Sequence, residues 1–210
     1  MPPPTPDRSP RHTLAERRKA ETRLDIARTA ARLFATHGTA AVTADQIAAE
    51  SGIALRTFYR YAGTKEEAVE PMLAAGARRW LAEVAVGTHR LPTFPELEAA
   101  AVRSLTLDPD NDDLEITRGL LRAMGDDPAL RAMWQRINLE GERELLRIFT
   151  DLAGLQADSL KLRLTAAAAA GAIRVALEQW AASEGPMAGE GSPADLVVRC
   201  LRGFRFGIGR

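Results

Sequence analysis

Cysteine occurs once in the 210 residues, at position 200. One thiol excludes an internal disulfide framework and a cysteine-rich zinc site, and it is compatible with a reducing cytoplasm, the expected location. Long apolar runs are missing too. None approaches the roughly 18–20 residues of a membrane span, so no membrane partner is expected. The chain opens on Pro2, Pro3 and Pro4, not on a basic stretch followed by an apolar one, which predicts no signal peptide. Enzyme signatures are lacking as well: there is no GxSxG, no Walker loop and no GxGxxG. His12, His37 and His89 are scattered, without a metal partner at helical spacing. The acidic run Asp108, Asp110, Asp112, Asp113 and Glu115 has Asp113 where a calcium loop needs glycine, and Gly119 where it needs glutamate. It reads as an acidic helix entrance favoured by the macrodipole. No catalytic residue, metal or cofactor is expected, and Cys200 reads as inert core.

Net charge is also absent, because 28 Lys+Arg balance 28 Asp+Glu. The balance is a cancellation. Residues 1–65 hold 11 basic and 6 acidic side chains, and the remaining 145 hold 17 and 22. A basic head of about 60 residues is large enough to be a small DNA-binding unit. Hydrophobic residues at 46% exclude wholesale disorder. Period-two alternation is missing, while Ala, Leu, Arg and Glu dominate, so the class is all-α.

Residues 1–12, with five prolines and no apolar periodicity, read as a flexible arm. Capping boxes are predicted at Thr13/Glu16, Thr43/Gln46, Thr64/Glu67 and Thr93/Glu96. Asp127-Pro128 and Ser192-Pro193 are further starts. Stops fall at Gly38, Gly52 and Gly185. The predicted helices are 14–37, 44–51, 54–61, 65–88, 94–106, 112–124, 128–153, 158–183 and 193–205. Residues 184–192 read as a mobile loop.

The front of the chain carries the chemistry. Ile26, Ala27, Ala30, Leu33 and Phe34 share one face of the first helix. Val42 and Ile47 flank Thr43 as a hydrophobic staple. Two short helices joined by a glycine-containing turn make a helix-turn-helix, whose second helix fits the major groove, about 12 Å wide. Phe58 has the spacing to face the core beside Ile47 and Phe34. Arg56, Thr57 and Arg60 then reach base edges or phosphates, and Tyr59 and Tyr61 offer hydroxyls to phosphate. Lys65, behind Thr64, favours an anion at a helix start.

The run Val42 to Val69, VTADQIAAESGIALRTFYRYAGTKEEAV, resembles the helix-turn-helix signature of the TetR family of transcriptional regulators. The first helix, ending ARLFATHG, is also similar to that family's. The resemblance covers about residues 17–70. It implies an Ω-like all-helical homodimer with nine or so helices per chain: a DNA-binding head over 13–64 and a ligand-binding and dimerisation body over 65–210. It implies phosphate contacts at Thr43 and Tyr59, groove-facing positions at Leu55, Arg56, Thr57 and Arg60, and a phosphate clamp at Lys65. Two residues depart from the family pattern. Tyr61 stands where histidine is common, and Ala62 where a large apolar residue is usual, which predicts a gap between the third and fourth helices.

For the body, the last two helices are expected to pair with those of a second copy. Ala168, Gly171 and Val175 supply small or apolar positions, and Leu196, Val197, Cys200, Leu201 and Phe204 form a stripe. An effector pocket is expected among Met72, Trp80, Leu121, Met124, Met133, Trp134, Ile137 and Phe149, with Arg122 or Gln135 as a polar anchor or as surface. The resulting expectation is a repressor released from a palindromic double-stranded DNA operator by a small molecule of unknown identity. The alternatives are a dimeric DNA-binding regulator without an effector, and a helical-bundle enzyme with a basic surface.

Overall fold

The computed structural model describes residues 13–86, 90–106, 112–154 and 158–206, with the side chains of 205 and 206 excepted. The proline-rich arm, Asp108, Asp110, His12 and His89 lie outside these residues. Nine α-helices form among the described residues: α1 (Leu14–His37), α2 (Ala44–Glu50), α3 (Leu55–Phe58), α4 (Glu70–Ala85), α5 (Phe94–Leu105), α6 (Asp113–Ala123), α7 (Pro128–Ala153), α8 (Ser159–Ala182) and α9 (Pro193–Phe206). No strand forms among them.

Local sequence explains most boundaries. Thr13 and Thr43 form the expected capping boxes with Glu16 and Gln46. The Asp127 and Asp158 carboxylates accept from the first N–H groups of α7 and α8. Gly38 and Gly52 stop α1 and the α2 turn at φ 75° and 67°, where a side chain would strain the backbone. Half of the box expected at Thr64 forms: its hydroxyl accepts from Glu67 N at 3.1 Å, but the Glu67 carboxylate accepts from Gly63 N, and the element that follows is a 3-10 turn, Glu67–Val69. The fourth α-helix therefore starts at Glu70, not at 65. The third helix is also shorter than the predicted 54–61. Four residues are α-helical, and the turn then tightens through Arg60 N to Thr57 O and Tyr61 N to Phe58 O bonds.

Two cores hold the helices. The first joins Ile26, Phe34, Val42, Ile47 and Phe58 of the front helices to Val69, Met72, Leu120 and Trp134 of the body. The second, at the far end, joins Trp80, Val84, Leu97, Leu145, Phe149, Leu162, Val197 and Leu201. The apolar packing of the first core thus continues across position 65. Ala62 is buried within it, and Lys65 beside it is tied down by its own hydrogen bonds.

The loop expected to be mobile is pinned. Trp180 Nε1 donates to Pro186 O at 3.0 Å, the Arg118 guanidinium donates to Gly185 O while lying 4.0 Å from the Trp180 ring centroid, and Gly191 N donates to Asp195 at 2.9 Å. Such bonds convert a glycine-rich stretch into a fixed Ω-like turn.

Candidate nucleic-acid interface and body cavity

The α2–α3 pair is built around Phe58. Its ring is fully buried, as are the ring of Phe34 and the side chain of Ile47, in agreement with the sequence pattern. The turn Ser51–Ala54 closes with Ile53 N donating to Ala48 O at 2.9 Å, which sets α3 across α2. Burying Phe58 forces the opposite face outward. Leu55, Arg56, Tyr59 and Arg60 are exposed, Thr57 and Tyr61 are half-buried, and the Tyr59 ring stands edge-on to Phe58 with centroids 5.4 Å apart. The Arg60 guanidinium lies 5.4 Å from the Tyr61 ring centroid. Thr43 is exposed at the α2 start, with its hydroxyl engaged by Gln46. A helix turn with two exposed arginines and a phenol on one side is the surface that a DNA groove and its phosphates can accept.

Lys65 has internal partners that its spacing does not announce. Its ammonium donates to Thr39 O at 2.6 Å and Val42 O at 2.8 Å, with Glu66 3.8 Å away. It therefore braces the α1–α2 connection from inside. The reason is positional: the chain turns back under α2 after Ala62, which brings the side chain beneath two carbonyls that no helix satisfies. Lys65→Met should lower stability by about 1–3 kcal/mol, because the Val42 carbonyl loses its donor and the Thr39 carbonyl keeps only the 3.3 Å bond from Val42 N. Urea unfolding checks this. Affinity for any duplex should fall with it, while the slope of log affinity against log salt stays unchanged. A slope shallower by about one unit would instead mark a phosphate contact.

The head is fastened to the body at three points. Arg28 of α1 pairs with Asp113 of α6, Nε to Oδ1 at 3.1 Å, which holds the guanidinium above its ordinary pKa. Asp127, the cap of α7, lies against Thr39. Burial works against its charge, but Thr39, the Leu130 and Ala129 N–H groups and nearby Lys65 together hold its pKa below the usual carboxylate range. Gly119 of α6 meets Ala35 of α1 so closely that an added Cβ would sit 2.4 Å from the Ala35 Cβ. None of Arg28, Asp113 and Gly119 stood out in the sequence as a fastening residue. Gly119 in a helix interior was the available signal, since a mid-helix glycine commonly marks a close approach.

A cavity lies between α4, α5, α6, α7 and α8. Of the residues expected to line a pocket, Met72, Trp80, Trp134 and Ile137 do so. The remaining wall includes Leu73, Arg79, Ser104, Asp113 and Asn138. It is narrow, leaving about 70 Å³ for the centre of a water-sized sphere. Leu121 and Met124 instead border an open groove between α6, α7 and α8, of about 920 Å³ by the same measure. Arg122 and Gln135 border that groove too, and Arg122 is used up on Ala181 O, Ser183 O and Glu184. Met133 and Phe149 are core residues, in the first and second cores respectively. Their periodicity is that of a buried face, which does not distinguish filled space from empty space. Arg79 was missed although the spacing 72, 76, 79, 80 puts it on the stripe of Met72 and Trp80.

Val197 and Leu201 correct the expected pairing face, because both are fully buried inside the chain against the second core. The α9 stripe is wide enough to have an inner and an outer half. Phe204, 52% exposed, lies on the outer half, while Leu196 and Cys200 are half-buried and pack against the second core. Burial raises the Cys200 thiol pKa, against the pull of Arg199. On α8, Ala168 and Gly171 are half-buried and Val175 is exposed; Leu160 and Leu164, absent from the expected set, extend that row by two exposed leucines. A Cβ on Gly171 would meet nothing within 4 Å, so no element of the same chain approaches it closely.

Among the described residues no helix is long and apolar enough to cross a membrane, and no cluster of three metal-ligating side chains forms. The arrangement is that of a helix-turn-helix regulator with a helical body. A profile described as bacterial regulatory proteins, tetR family, matches residues 26–70, and one described as MftR C-terminal domain matches residues 91–190. The chain belongs to the TetR family of transcriptional regulators. Among solved structures it is similar to the fatty acid degradation regulator FadR from Bacillus halodurans, with a TM-score of 0.57, 14% identity, and 89% of this chain and 96% of that one covered. It is also similar to a TetR-family regulator from a Rhodococcus species, with a TM-score of 0.59, 15% identity, and coverage of 89% and 97%. A regulator from Pseudomonas aeruginosa PAO1 gives 0.55, 17%, and coverage of 92% and 91%. At these identities the likeness is one of fold. No curated protein matches by sequence.

Proposed function

We propose that the chain is a cytoplasmic, ligand-responsive repressor. Two copies bind a palindromic operator and block transcription, and a small molecule in the body of each releases them. The observation that carries this reading is the α3 turn, anchored by buried Phe58 and exposing Leu55, Arg56, Tyr59 and Arg60 together. Half-buried Thr57 and Tyr61 belong to the same turn, and exposed Thr43 opens α2. Two-fold symmetry supplies the second half-site, and the row Leu160–Leu164–Ala168–Gly171–Val175 on α8, together with exposed Phe204 on α9, supports pairing there. Release is supported by Asp113, which both lines the cavity and holds Arg28 of α1. A ligand that displaces this pair needs a coupling of only about 1–3 kcal/mol to change operator affinity some 5–150-fold. The narrowness of the cavity favours a second reading, in which the body serves dimerisation alone.

The test is capture of genomic fragments by the purified full-length protein, followed by sequencing and footprinting. An inverted repeat with half-sites about one helical turn apart is expected. Arg56→Ala or Arg60→Ala should relax base preference by about 1–3 kcal/mol per base contact, measured by competition between operator variants. Failure to capture any fragment at modest ionic strength overturns the reading.

A further inference from the structure

Two nitrogen donors at consecutive positions of α4 lack an acceptor. The Nε of Arg79 and the Nε1 of Trp80 are buried, and neither meets a hydrogen-bond partner among the described residues. Both residues line the cavity, whose wall is otherwise largely apolar, with Met72, Trp134 and Ile137 prominent. Trp80 is 5% exposed, so water does not serve as its general partner. A buried N–H left without an acceptor costs about 1–3 kcal/mol, and such groups in folded proteins call for an explanation. Two of them on the wall of one hollow indicate that the hollow is shaped for an acceptor.

The charges nearby agree. Asp113 is the acid on the same wall, and its carboxylate is engaged by Arg28. Burial depresses the Arg79 pKa; Asp113 opposes that effect, and Arg78 and Arg28 add to it. Arg79 thus feels two other guanidinium groups, and Asp113 is the carboxylate that acts on it, while Asp25 and Asp112 act on Arg28. An anion beside Arg79 would supply the missing acceptor through a charge-assisted hydrogen bond. A cation would be repelled by the half-buried guanidinium, and a neutral group would leave its charge without a close partner.

We propose that the cavity takes an amphipathic carboxylate, with its head group held by Arg79 and the Trp80 indole N–H, and its apolar chain against Met72, Trp134 and Ile137. This rests on the reading of the body as an effector site, and it names the chemical class of the effector. Narrow free space suits an unbranched chain, which Met72 yields to more easily than a branched wall would.

The experiment uses the full-length protein and three probes of equal chain length: octanoate, 1-octanol and octyltrimethylammonium. Binding is followed by calorimetry and by tryptophan fluorescence, since Trp80 and Trp134 are both in the wall. Octanoate should bind saturably and about tenfold or more tighter than octanol, with the ammonium probe weakest. Arg79→Gln should bring octanoate down to the level of octanol, and Arg79→Lys should keep part of the preference. If Arg79→Gln does not fold, the three-probe series on the unaltered chain decides alone. Equal binding of octanoate and octanol, or preference for the ammonium, overturns the carboxylate assignment and leaves the cavity as an effector site for another class. Binding of none of the three overturns the carboxylate assignment and the effector-site reading together.

Discussion

Phe58→Ala is expected to destabilise the protein by about 3–5 kcal/mol, the largest effect of any single substitution in the head. Its ring has no exposed surface, and it fills the junction of α1, α2 and α3. The cavity left behind is not easily closed, because the neighbours Phe34 and Ile47 are themselves fully buried and fixed by helices of different direction. Because the first core continues into Val69, Met72 and Leu120, the loss is not confined to the head. A domain stable by about 5–15 kcal/mol loses a large fraction of its margin. Urea unfolding at 25 °C measures the effect, and specific DNA binding should vanish with it, since Tyr59 loses the ring against which it stands. The informative contrast is Arg56→Ala. That residue is exposed, so stability should change by no more than about 0.5 kcal/mol while DNA recognition suffers. A Phe58→Ala protein as stable as the unaltered chain would mean that α3 is not anchored in this way.

Gly119→Ala should be the second severe change, although alanine is the better helix former by about 1 kcal/mol. The new methyl group would lie 2.4 Å from the Ala35 Cβ and 3.4 Å from its Cα. Neither atom is at the end of a flexible side chain, so α1 and α6 must move apart. Overpacking of this kind costs about 1–3 kcal/mol. The separation would also stretch the Arg28–Asp113 pair on the same two helices, so the operator affinity of folded protein should change as well. The check is a double substitution. Ala35→Gly removes the methyl group that is met, and Gly119→Ala combined with Ala35→Gly should recover most of the melting temperature lost by Gly119→Ala alone. A fully additive pair would show that the two positions do not touch.

Much of the head was legible in the order of residues. Thr43 with Gln46, Gly52 at a turn needing positive φ, and Phe58 three residues into a short helix are local statements, and each carries its own physical signal. The exposed set Leu55, Arg56, Tyr59 and Arg60 then followed from the inward direction of one ring. The internal bonds of Lys65 are a feature that spacing could not supply. A lysine after a threonine cap looks the same whether its ammonium meets solvent or two carbonyls brought beneath it from residues 39 and 42. Val197 and Leu201 show the same limit on α9, because a stripe wide enough to face two neighbours does not say which neighbour is in the same chain.

Composition, periodicity and capping residues determined that this chain is a set of helices with a basic, helix-turn-helix front and an acidic body, because those features act over a few residues and need no partner. Only the tertiary structure decided which arginines are free, which are spent on carbonyls and carboxylates, and which, like Arg79, are left in a wall without an acceptor. It also decided where α1 and α6 come within methyl distance and where space between helices remains unfilled. These are differences between side chains of the same kind, and they arise from contacts between residues tens of positions apart, where the chain's path, not its local pattern, sets what each group meets.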